Sequence, residues 1–247
     1  GTIVEQITSK SWESNVHDLI FEPLSMSNSS TTYEEMRKTN NYSLPYGAYQ
    51  GNIEKVKFED FYSLRPAGAV KSTVIDLSNW MITWLNNGVF NQTQVIPKDY
   101  VDKATKLQNI KPDSYDKDSF LYGDGFGWRL KSSYGHYRID HGGNTYGFST
   151  NLVMFPFEKI GIVVLTNQDN SWLPYIVTDN ITRRLFELNP EPEYPVIVSE
   201  IYHPDSISIS LNKDKTPTHA LTHFVGTYKA QGFGEIKIMM ENNILFA

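Results

Sequence analysis

A histidine followed by two glycines is the feature of this sequence that most directly indicates chemistry. The segment is His141-Gly142-Gly143-Asn144-Thr145-Tyr146-Gly147, with three glycines in seven residues. Glycines at this density let the backbone turn tightly or let another group approach it closely. A histidine at the mouth of such a segment indicates a functional site. A histidine that closes a β-turn and is bonded to backbone groups would give the same pattern, so both interpretations are open at this point.

Two other groups of polar residues give weaker patterns. Asp124 and Asp140 could form a carboxylate pair, but each neighbours a strand end, where we expect a turn residue or a solvated one. His219 and His223 stand four residues apart, as metal ligands on a helix can. They lack the carboxylate of the HExxH arrangement, and Pro217 favours a loop there. We therefore expect no metal site and no cofactor.

The residues around the glycine-rich segment predict a sheet. Residues 136–140 form a short mixed strand, residues 148–155 are rich in β-branched and aromatic side chains, and residues 160–166 are a continuous apolar run. Residues 156–159 carry the proline and charges of a hairpin loop. Residues 122–128 lead into a further strand, which we place beside these three.

Amphipathic patterns predict the helices that pack on this sheet. Residues 74–86 form the clearest one, capped by Ser72 or Thr73. Its predicted buried stripe consists of Leu77, Trp80, Met81, Trp84 and Leu85. Residues 172–188 predict one long helix across the sheet. Its residues predicted to face inward are Ile176, Val177, Ile181, Leu185 and Phe186. Shorter helices are predicted at residues 2–8, 12–21 and 98–107.

The stretch of residues 25–61 is polar, aromatic and nearly without periodicity, apart from a short predicted helix at residues 33–38. Its aromatic content argues against disorder, so we expect an ordered excursion over the core. Tyr42, Tyr46 and Tyr49 could line a substrate pocket or cover the core.

The bulk composition excludes several classes of protein. The net charge is -6, and no basic stripe is present to meet phosphates, which argues against a nucleic-acid partner. The chain has no apolar run of the roughly 20 residues that a membrane span needs. Cysteine is absent from the 247 residues, which excludes disulfides, a cysteine nucleophile and zinc bound by cysteine.

A proline-rich stretch, residues 189–195, predicts a domain boundary. From Phe224 onward the sequence alternates like an antiparallel meander. We therefore predict three parts. Residues 1–188 form the main domain, residues 189–223 a linker and mixed segment, and residues 224–247 the start of a small, truncated β domain.

Five stretches, in order, resemble the serine β-lactamase and penicillin-binding-protein superfamily, especially its class C and esterase-like branch. Related carboxypeptidase-like and aminopeptidase-like proteins share the pattern. The stretches are residues 20–26 (family "IFEPLGM"), 66–80 ("PAGG…S…DM..W"), 122–128 ("YGLGW"), 141–149 ("HGGGTPGFSS") and 163–168 ("VVVLTNQ"). The resemblance implies an α+β fold, with an antiparallel sheet flanked by helices that is incomplete at the N-terminus. It also favours a secreted, periplasmic or cell-surface location.

Enzymes of this superfamily use three motifs. The serine of S-x-x-K attacks the carbonyl and forms the acyl-enzyme, and the lysine of the same motif takes or buffers its proton. A tyrosine in Y-x-N assists as base and acid, and K-T-G or H-x-G lies on an edge strand facing the serine. The resemblance implies that His141-Gly142-Gly143 is the third motif. Asn144 would then donate its backbone N–H to the oxyanion hole, and Gly143 would keep the strand bare for the substrate.

The other two motifs find no counterpart. The string Ser114-Tyr115-Asp116-Lys117 lies in a polar stretch without a helix pattern, so we interpret it as chance, and Y-x-N does not occur. We therefore expect the chain to be the C-terminal portion of a longer protein, with the missing N-terminal portion as its partner, and to be inactive alone. The parent would hydrolyse an ester, amide, D-peptide or β-lactam. The alternative is a non-catalytic family member that serves as a binding or scaffold module.

Overall fold

The structure of this chain, a computed structural model, describes residues 1–49, 51–58, 64–111, 121–189, 219–230 and 234–246. The chain divides into two compact units, residues 1–201 and residues 202–247. Residues 190–218 lie outside the described part, and with them most of the predicted linker. The predicted division into residues 1–188, 189–223 and 224–247 stays a prediction.

The helices described in the first unit are short except for two. They are α1 (Thr2–Thr8), α2 (Trp12–Val16), α3 (Tyr33–Met36), α4 (Arg65–Gly68), α5 (Val74–Leu85), α6 (Lys98–Ala104) and α7 (Leu173–Leu185). A π-helical turn, His17–Phe21, continues α2 to the end of the predicted helix. The predicted N-cap of α5 is confirmed, because the Thr73 side chain accepts a hydrogen bond from the N–H of Asp76 at 3.2 Å.

The described strands of the first unit form one large sheet and two small hairpins. They are β1 (Tyr46–Tyr49), β2 (Asn52–Lys55), β3 (Val89–Phe90), β4 (Thr93–Gln94), β5 (Asn109–Ile110), β6 (Tyr122–Asp124), β7 (Arg129–Ser133), β8 (His136–Thr145), β9 (Phe148–Phe155) and β10 (Ile160–Thr166). The large sheet is antiparallel, with the described strands in the order β10-β9-β8-β7-β6-β5. The β1–β2 hairpin lies in the aromatic stretch, where the sequence predicted no strands.

Strand β8 is longer than predicted. The predicted strand ended at Asp140, but β8 continues through the glycine-rich segment to Thr145. Glycine has the backbone donor and acceptor that a ladder needs, and Gly143 lies opposite Thr150 of β9. The tight turn is confined to the next two residues, where Gly147 has a φ of 78°.

Helices cover both faces of the large sheet, which confirms the predicted fold class. Met81, Trp84 and Leu85 of α5 pack in one core cluster with Ile139 of β8 and Met154 of β9. Helix α7 contacts β9 and β10. Val153 and Phe155 of β9 are buried on the face opposite Met154. There they pack against Phe186, which follows the last residue of α7.

The inward face of α7 differs from the prediction. Ile181 and Leu185 are exposed, whereas Thr178 and Thr182 are fully buried. The Thr182 hydroxyl donates to the carbonyl oxygen of Thr178 at 2.7 Å, so its polar atom is satisfied within the helix. Small side chains with bonded hydroxyls let the helix lie close to the sheet, and a count of apolar residues misses them.

The second unit contains the predicted meander. A 3-10 helix, Leu221–Phe224, precedes β11 (Gly226–Ala230), β12 (Gly234–Glu241) and β13 (Ile244–Phe246), which form an antiparallel sheet in that order. Within the described part of the chain, no helix has the length and apolar character needed to cross a membrane.

Candidate active site

The glycine-rich half of β8 lies at an open edge of the sheet. Strand β7 begins at Arg129, which lies opposite Asp140. Among the described residues, positions 141–145 therefore pair with β9 alone. The expectation of an edge strand is correct for this half, whereas the first half of β8 lies inside the sheet between β7 and β9.

The direction of the backbone N–H groups in residues 141–145 of β8 follows from the two-residue turn 134–135. Ser133 and His136 flank this two-residue turn, so the N–H of His136 points toward β7. Because direction alternates along an antiparallel strand, the N–H groups of Gly142 and Asn144 point the same way. They therefore face the open edge. This is the orientation that an oxyanion-hole donor at Asn144 requires.

The side chains of this half alternate between the two faces. Gly142 lies against α7, because a β-carbon there would come within 2.0 Å of the Tyr175 hydroxyl oxygen. His141 and Gly143 therefore point to the opposite face, which α5 covers further along the sheet. The His141 side chain is exposed. A β-carbon at Gly143 would meet the Thr150 hydroxyl oxygen at 2.7 Å, so a side chain at this position would press on Thr150.

A cavity of about 210 Å³ lies where β7 begins, beside the open edge of β8. Its lining residues are Asp124, Gly125, Gly127, Trp128, Arg129 and His141. Burial lowers the pKa of Arg129, but the charge of Asp140 and a hydrogen bond with Tyr175 outweigh burial and raise this pKa above its ordinary value. The guanidinium is thus a permanent positive charge beside His141.

Asp140 is a buried carboxylate surrounded by cations, which corrects the prediction of a turn or solvated residue. Its side chain is 4% exposed. Its carboxylate oxygens lie 3.0 Å from Arg138 Nε, 3.7 Å from Arg129 Nε and 3.8 Å from Lys131 Nζ. Burial, followed by repulsion from Arg138, lowers the pKa of Lys131, and Asp140 opposes this shift. The group leaves positive charge in excess beside the cavity.

The Asn144 side chain forms a closed set of hydrogen bonds with the loop that follows β10. Asn144 Oδ1 accepts from Ser149 Oγ at 2.8 Å and from the backbone N–H of Asn170 at 2.7 Å. Asn144 Nδ2 donates to Asn170 Oδ1 at 3.0 Å. The Ser149 oxygen in turn accepts from the N–H of Ser171 at 3.0 Å. Sequence reasoning missed this contribution from Asn170 and Ser149.

Asp124, the other half of the proposed carboxylate pair, is a strand residue of β6. Lys111 Nζ lies 2.9 Å from its Oδ2, so its charge already has a partner. It lies at the same cavity as His141. The cavity thus combines one compensated carboxylate with the excess positive charge around Asp140.

The tyrosines and the histidine pair singled out in the sequence lie in different parts of the structure. Tyr42 packs on Phe58, and Phe58 stacks on Phe148 with 6.2 Å between ring centroids, so Tyr42 is part of a cluster that reaches β9. The Tyr49 side chain lies outside the described residues. His219 and His223 lie in the second unit with their rings 6.0 Å apart.

One group of described residues, at the π-helical turn, comes close enough to bind a metal ion. It consists of His17, Asp18 and Glu22, all exposed. Asp18 already binds Lys10 Nζ at 2.7 Å. The charge of Asp18 is therefore already compensated by Lys10, so the closeness of these three exposed side chains does not by itself indicate a metal site.

The S-x-x-K strings of the sequence lie outside the described residues. One is Ser114-Tyr115-Asp116-Lys117. The other is Ser210-Leu211-Asn212-Lys213, in an alternating stretch that is typical of a strand rather than a helix. The described site contains His141, outward-facing backbone N–H groups, the cation Arg129 and the carboxylate of Asp124.

Comparison with known proteins gives a consistent family. Residues 1–180 match the family described as Beta-lactamase. Over 81 residues the chain is 36% identical to Beta-lactamase-like protein 1 of Dictyostelium discoideum, a match that covers 32% of this chain and 13% of that protein.

Solved structures with similar folds include a penicillin-binding protein homologue, an amidohydrolase and a class C beta-lactamase. The octameric penicillin-binding protein homologue from Pyrococcus abyssi has a TM-score of 0.69 at 21% identity, over 99% of this chain and 49% of that one. A D-stereospecific amidohydrolase from Streptomyces sp. has a TM-score of 0.55 at 19% identity, over 68% and 47%. A class C beta-lactamase has a TM-score of 0.53 at 17% identity, over 72% and 52%. The chain spans about half the length of these structures.

Proposed function

The chain belongs to the beta-lactamase family, and on that premise we propose that it forms one wall of the active site of a serine hydrolase. The parent enzyme would act on an ester, amide, D-peptide or β-lactam through an acyl-enzyme. The observation that carries this proposal is the open half of β8, where His141 lies beside a cavity and the N–H groups of Gly142 and Asn144 face outward. Solved structures of similar fold include hydrolases, the amidohydrolase and the class C beta-lactamase.

The chemistry follows from the charge that develops during acyl transfer. When a serine attacks a carbonyl carbon, the carbonyl oxygen becomes negative, and a fixed N–H donor stabilises that charge. The Asn144 N–H would supply this donor. Gly143 would leave room for the substrate along the strand, and the His141 imidazole would contact the reacting groups or the substrate beside them.

The cavity supports a preference for substrates that carry an anionic group. Arg129 lines it, and Arg129, Lys131 and Arg138 lie around the carboxylate of Asp140. The other carboxylate of the lining, Asp124, is paired with Lys111. An arginine can bind a carboxylate through two parallel hydrogen bonds. We therefore place the negatively charged part of the substrate beside Arg129 and His141.

The nucleophile would come from a part of the parent protein outside these 247 residues, together with its lysine and tyrosine. This follows from the lack of Y-x-N and of an S-x-x-K string on a helix pattern. The 247-residue chain should then fail to hydrolyse a nitrophenyl ester. Turnover by this chain that disappears in His141→Ala would contradict the assignment of the nucleophile.

The role of His141 is tested in the parent protein. The variant His141→Ala should lower nitrophenyl-ester turnover by about 100-fold or more, the range that a positioned catalytic group contributes. The matched control is His17→Ala, which removes an exposed histidine outside the site and should leave turnover unchanged. Equal activity of the two variants would remove His141 from the site.

A further inference from the structure

We propose that Asn170 and Ser149 are positioning residues that hold Asn144 with its backbone N–H directed at the open edge of β8. The inference rests on the proposed function, because it concerns the donor of the oxyanion hole. Neither residue touches the reacting atoms in this account. Both act through the side chain of Asn144.

The side chain and the N–H of Asn144 point in different directions. The N–H faces the open edge, as the alternation along β8 requires. The side chain points to the face covered by α7, as Gly142 does two residues earlier. Rotation of the strand about its own axis would move both groups together. Fixing the side chain therefore fixes the direction of the N–H.

The open edge makes such a restraint necessary. An interior strand is held by ladders on both sides, but among the described residues positions 141–145 have a ladder on the β9 side alone. The hydrogen bonds of the Asn144 side chain supply a second attachment. Two come from Asn170 and one from Ser149, which lies directly opposite Asn144 on β9. Ser149 is itself buried, with 2% exposure.

The loop that carries Asn170 has attachments other than Asn144. The N–H of Asp169 donates to the carbonyl oxygen of Tyr46 at 3.0 Å, and Asn167 Nδ2 donates to the carbonyl oxygen of Leu44 at 3.0 Å. Asn170 has a φ of 48°, a left-handed conformation that asparagine tolerates better than most residues. The loop thus offers Asn144 both an N–H and an amide oxygen from a fixed position.

The residue type at position 144 agrees with this role. The family segment that this stretch resembles, "HGGGTPGFSS", has glycine where this chain has Asn144. A glycine could offer the same backbone N–H but has no side chain to bind the loop. The attachment is therefore a feature that the asparagine adds to this chain.

The first test measures the ¹⁵N order parameter of the Asn144 N–H in the 247-residue chain. We expect about 0.85, typical of a rigid backbone, and a fall below about 0.6 in Asn144→Ala. Asn170→Ala should give an intermediate value. Asn144→Asp keeps the oxygen that accepts from Ser149 and Asn170, and should stay closer to the native value. Melting temperatures of all variants show whether each is folded.

Asn180→Ala is the matched control, because it removes an asparagine whose described side-chain hydrogen bond lies within α7, to the carbonyl oxygen of Ile176. It should leave the order parameter unchanged. An unchanged value in Asn144→Ala and Asn170→Ala, or an equal fall in Asn180→Ala, would overturn the proposal.

The second test uses turnover by the parent protein. Asn170→Ala should lower kcat by about tenfold with KM unchanged, because a misdirected oxyanion donor affects the transition state alone. Asn170→Asp keeps the oxygen that accepts from Asn144 and should restore most of kcat. A loss confined to KM would contradict the role. If the parent protein has no turnover, the proposed function fails, while the order parameters still decide on the positioning of Asn144.

Discussion

The Tyr175 hydroxyl lies directly against the α-carbon of Gly142. A β-carbon at position 142 would come within 2.0 Å of that oxygen and 3.2 Å of an Arg129 terminal nitrogen. The first residue of the glycine pair is therefore a glycine because α7 approaches the strand there. The contact joins the helix to the middle of the candidate site, which makes the position of β8 depend on α7.

Gly142→Ala should destabilise the chain by about 1–3 kcal/mol, because the added methyl group displaces Tyr175 and Arg129. Urea unfolding measures the change. Tyr175→Phe in the same chain removes the clashing oxygen and should recover part of the loss. The control is Gly68→Ala, where no atom lies within 4 Å of the new methyl group, and it should be close to neutral. A neutral Gly142→Ala variant would contradict the packing described.

Asp140→Ala should cost about 3 kcal/mol or more, because it leaves buried positive charge without compensation. Asp140 is the carboxylate that Arg138, Arg129 and Lys131 share. Asp102→Ala removes an exposed partner of Lys98 and should cost about 0.5 kcal/mol or less. Similar losses in the two variants, measured by chemical unfolding, would show that Asp140 is not the centre of a buried cluster.

Thr178→Val should destabilise the chain by about 1–3 kcal/mol, because it leaves a buried amide without its acceptor. The acceptor is the Thr178 hydroxyl, which takes a hydrogen bond from Asn151 Nδ2 at 2.8 Å between α7 and β9. Thr182→Val is the matched control in the same helix, since its hydroxyl bonds within the helix alone. Thr182→Val should therefore destabilise the chain less than Thr178→Val. A lower melting temperature for Thr182→Val than for Thr178→Val would contradict the hydrogen bond between Asn151 and Thr178.

Asp169 should make stability depend on pH. Burial raises the pKa of its carboxyl group, and a hydrogen bond from the Gly147 N–H only partly offsets this. Because the folded-state pKa exceeds the unfolded one, the folded state binds the proton more tightly. Its stability contribution is present below the unfolded pKa and is lost as the pH rises through the folded pKa.

Asp169→Asn removes this titration and keeps an oxygen that can accept from Gly147. The free energy of unfolding of the variant minus that of the native chain should therefore be larger at about pH 8 than at about pH 4, so the substitution stabilises the chain more at the higher pH. Asp99→Asn, an exposed substitution on α6, should show a much smaller dependence. A difference that is the same at both pH values would show that the Asp169 carboxyl group does not have a raised pKa.

The periodic parts of the fold could be predicted from the sequence. Strands β9 and β10 and the helix α5 have the predicted positions because their apolar patterns repeat with one clear period. The β1–β2 hairpin was missed because Tyr46-Gly47-Ala48-Tyr49 has no clear alternation. The buried face of α7 was misassigned because Thr178 and Thr182 are polar residues that a sequence pattern places at the surface. Their hydroxyl groups donate to backbone carbonyl oxygens within the helix, which allows both side chains to be buried.

The site could be predicted in part. The density of glycines singled out His141 as a candidate, and its role stays a prediction. The strand on which it lies was predicted to end at Asp140, whereas β8 continues to Thr145. The neighbours that come together through register could not be identified, because cross-strand pairing brings Arg129 opposite Asp140, and packing brings Tyr175 onto Gly142. Position in the sequence does not reveal such contacts. For Asn170, the sequence offered one indication, which is that this polar residue lies shortly after the apolar run of β10.

The most direct test of the central claim is the intact mass of the native protein from its source, before and after treatment with a fluorophosphonate. If the chain is part of a larger serine hydrolase, we expect a mass well above the 28.3 kDa of this chain and an adduct on a serine outside its 247 residues. A native mass near 28.3 kDa without an adduct would contradict it. That result would favour a non-catalytic binding module and make His141 a structural residue.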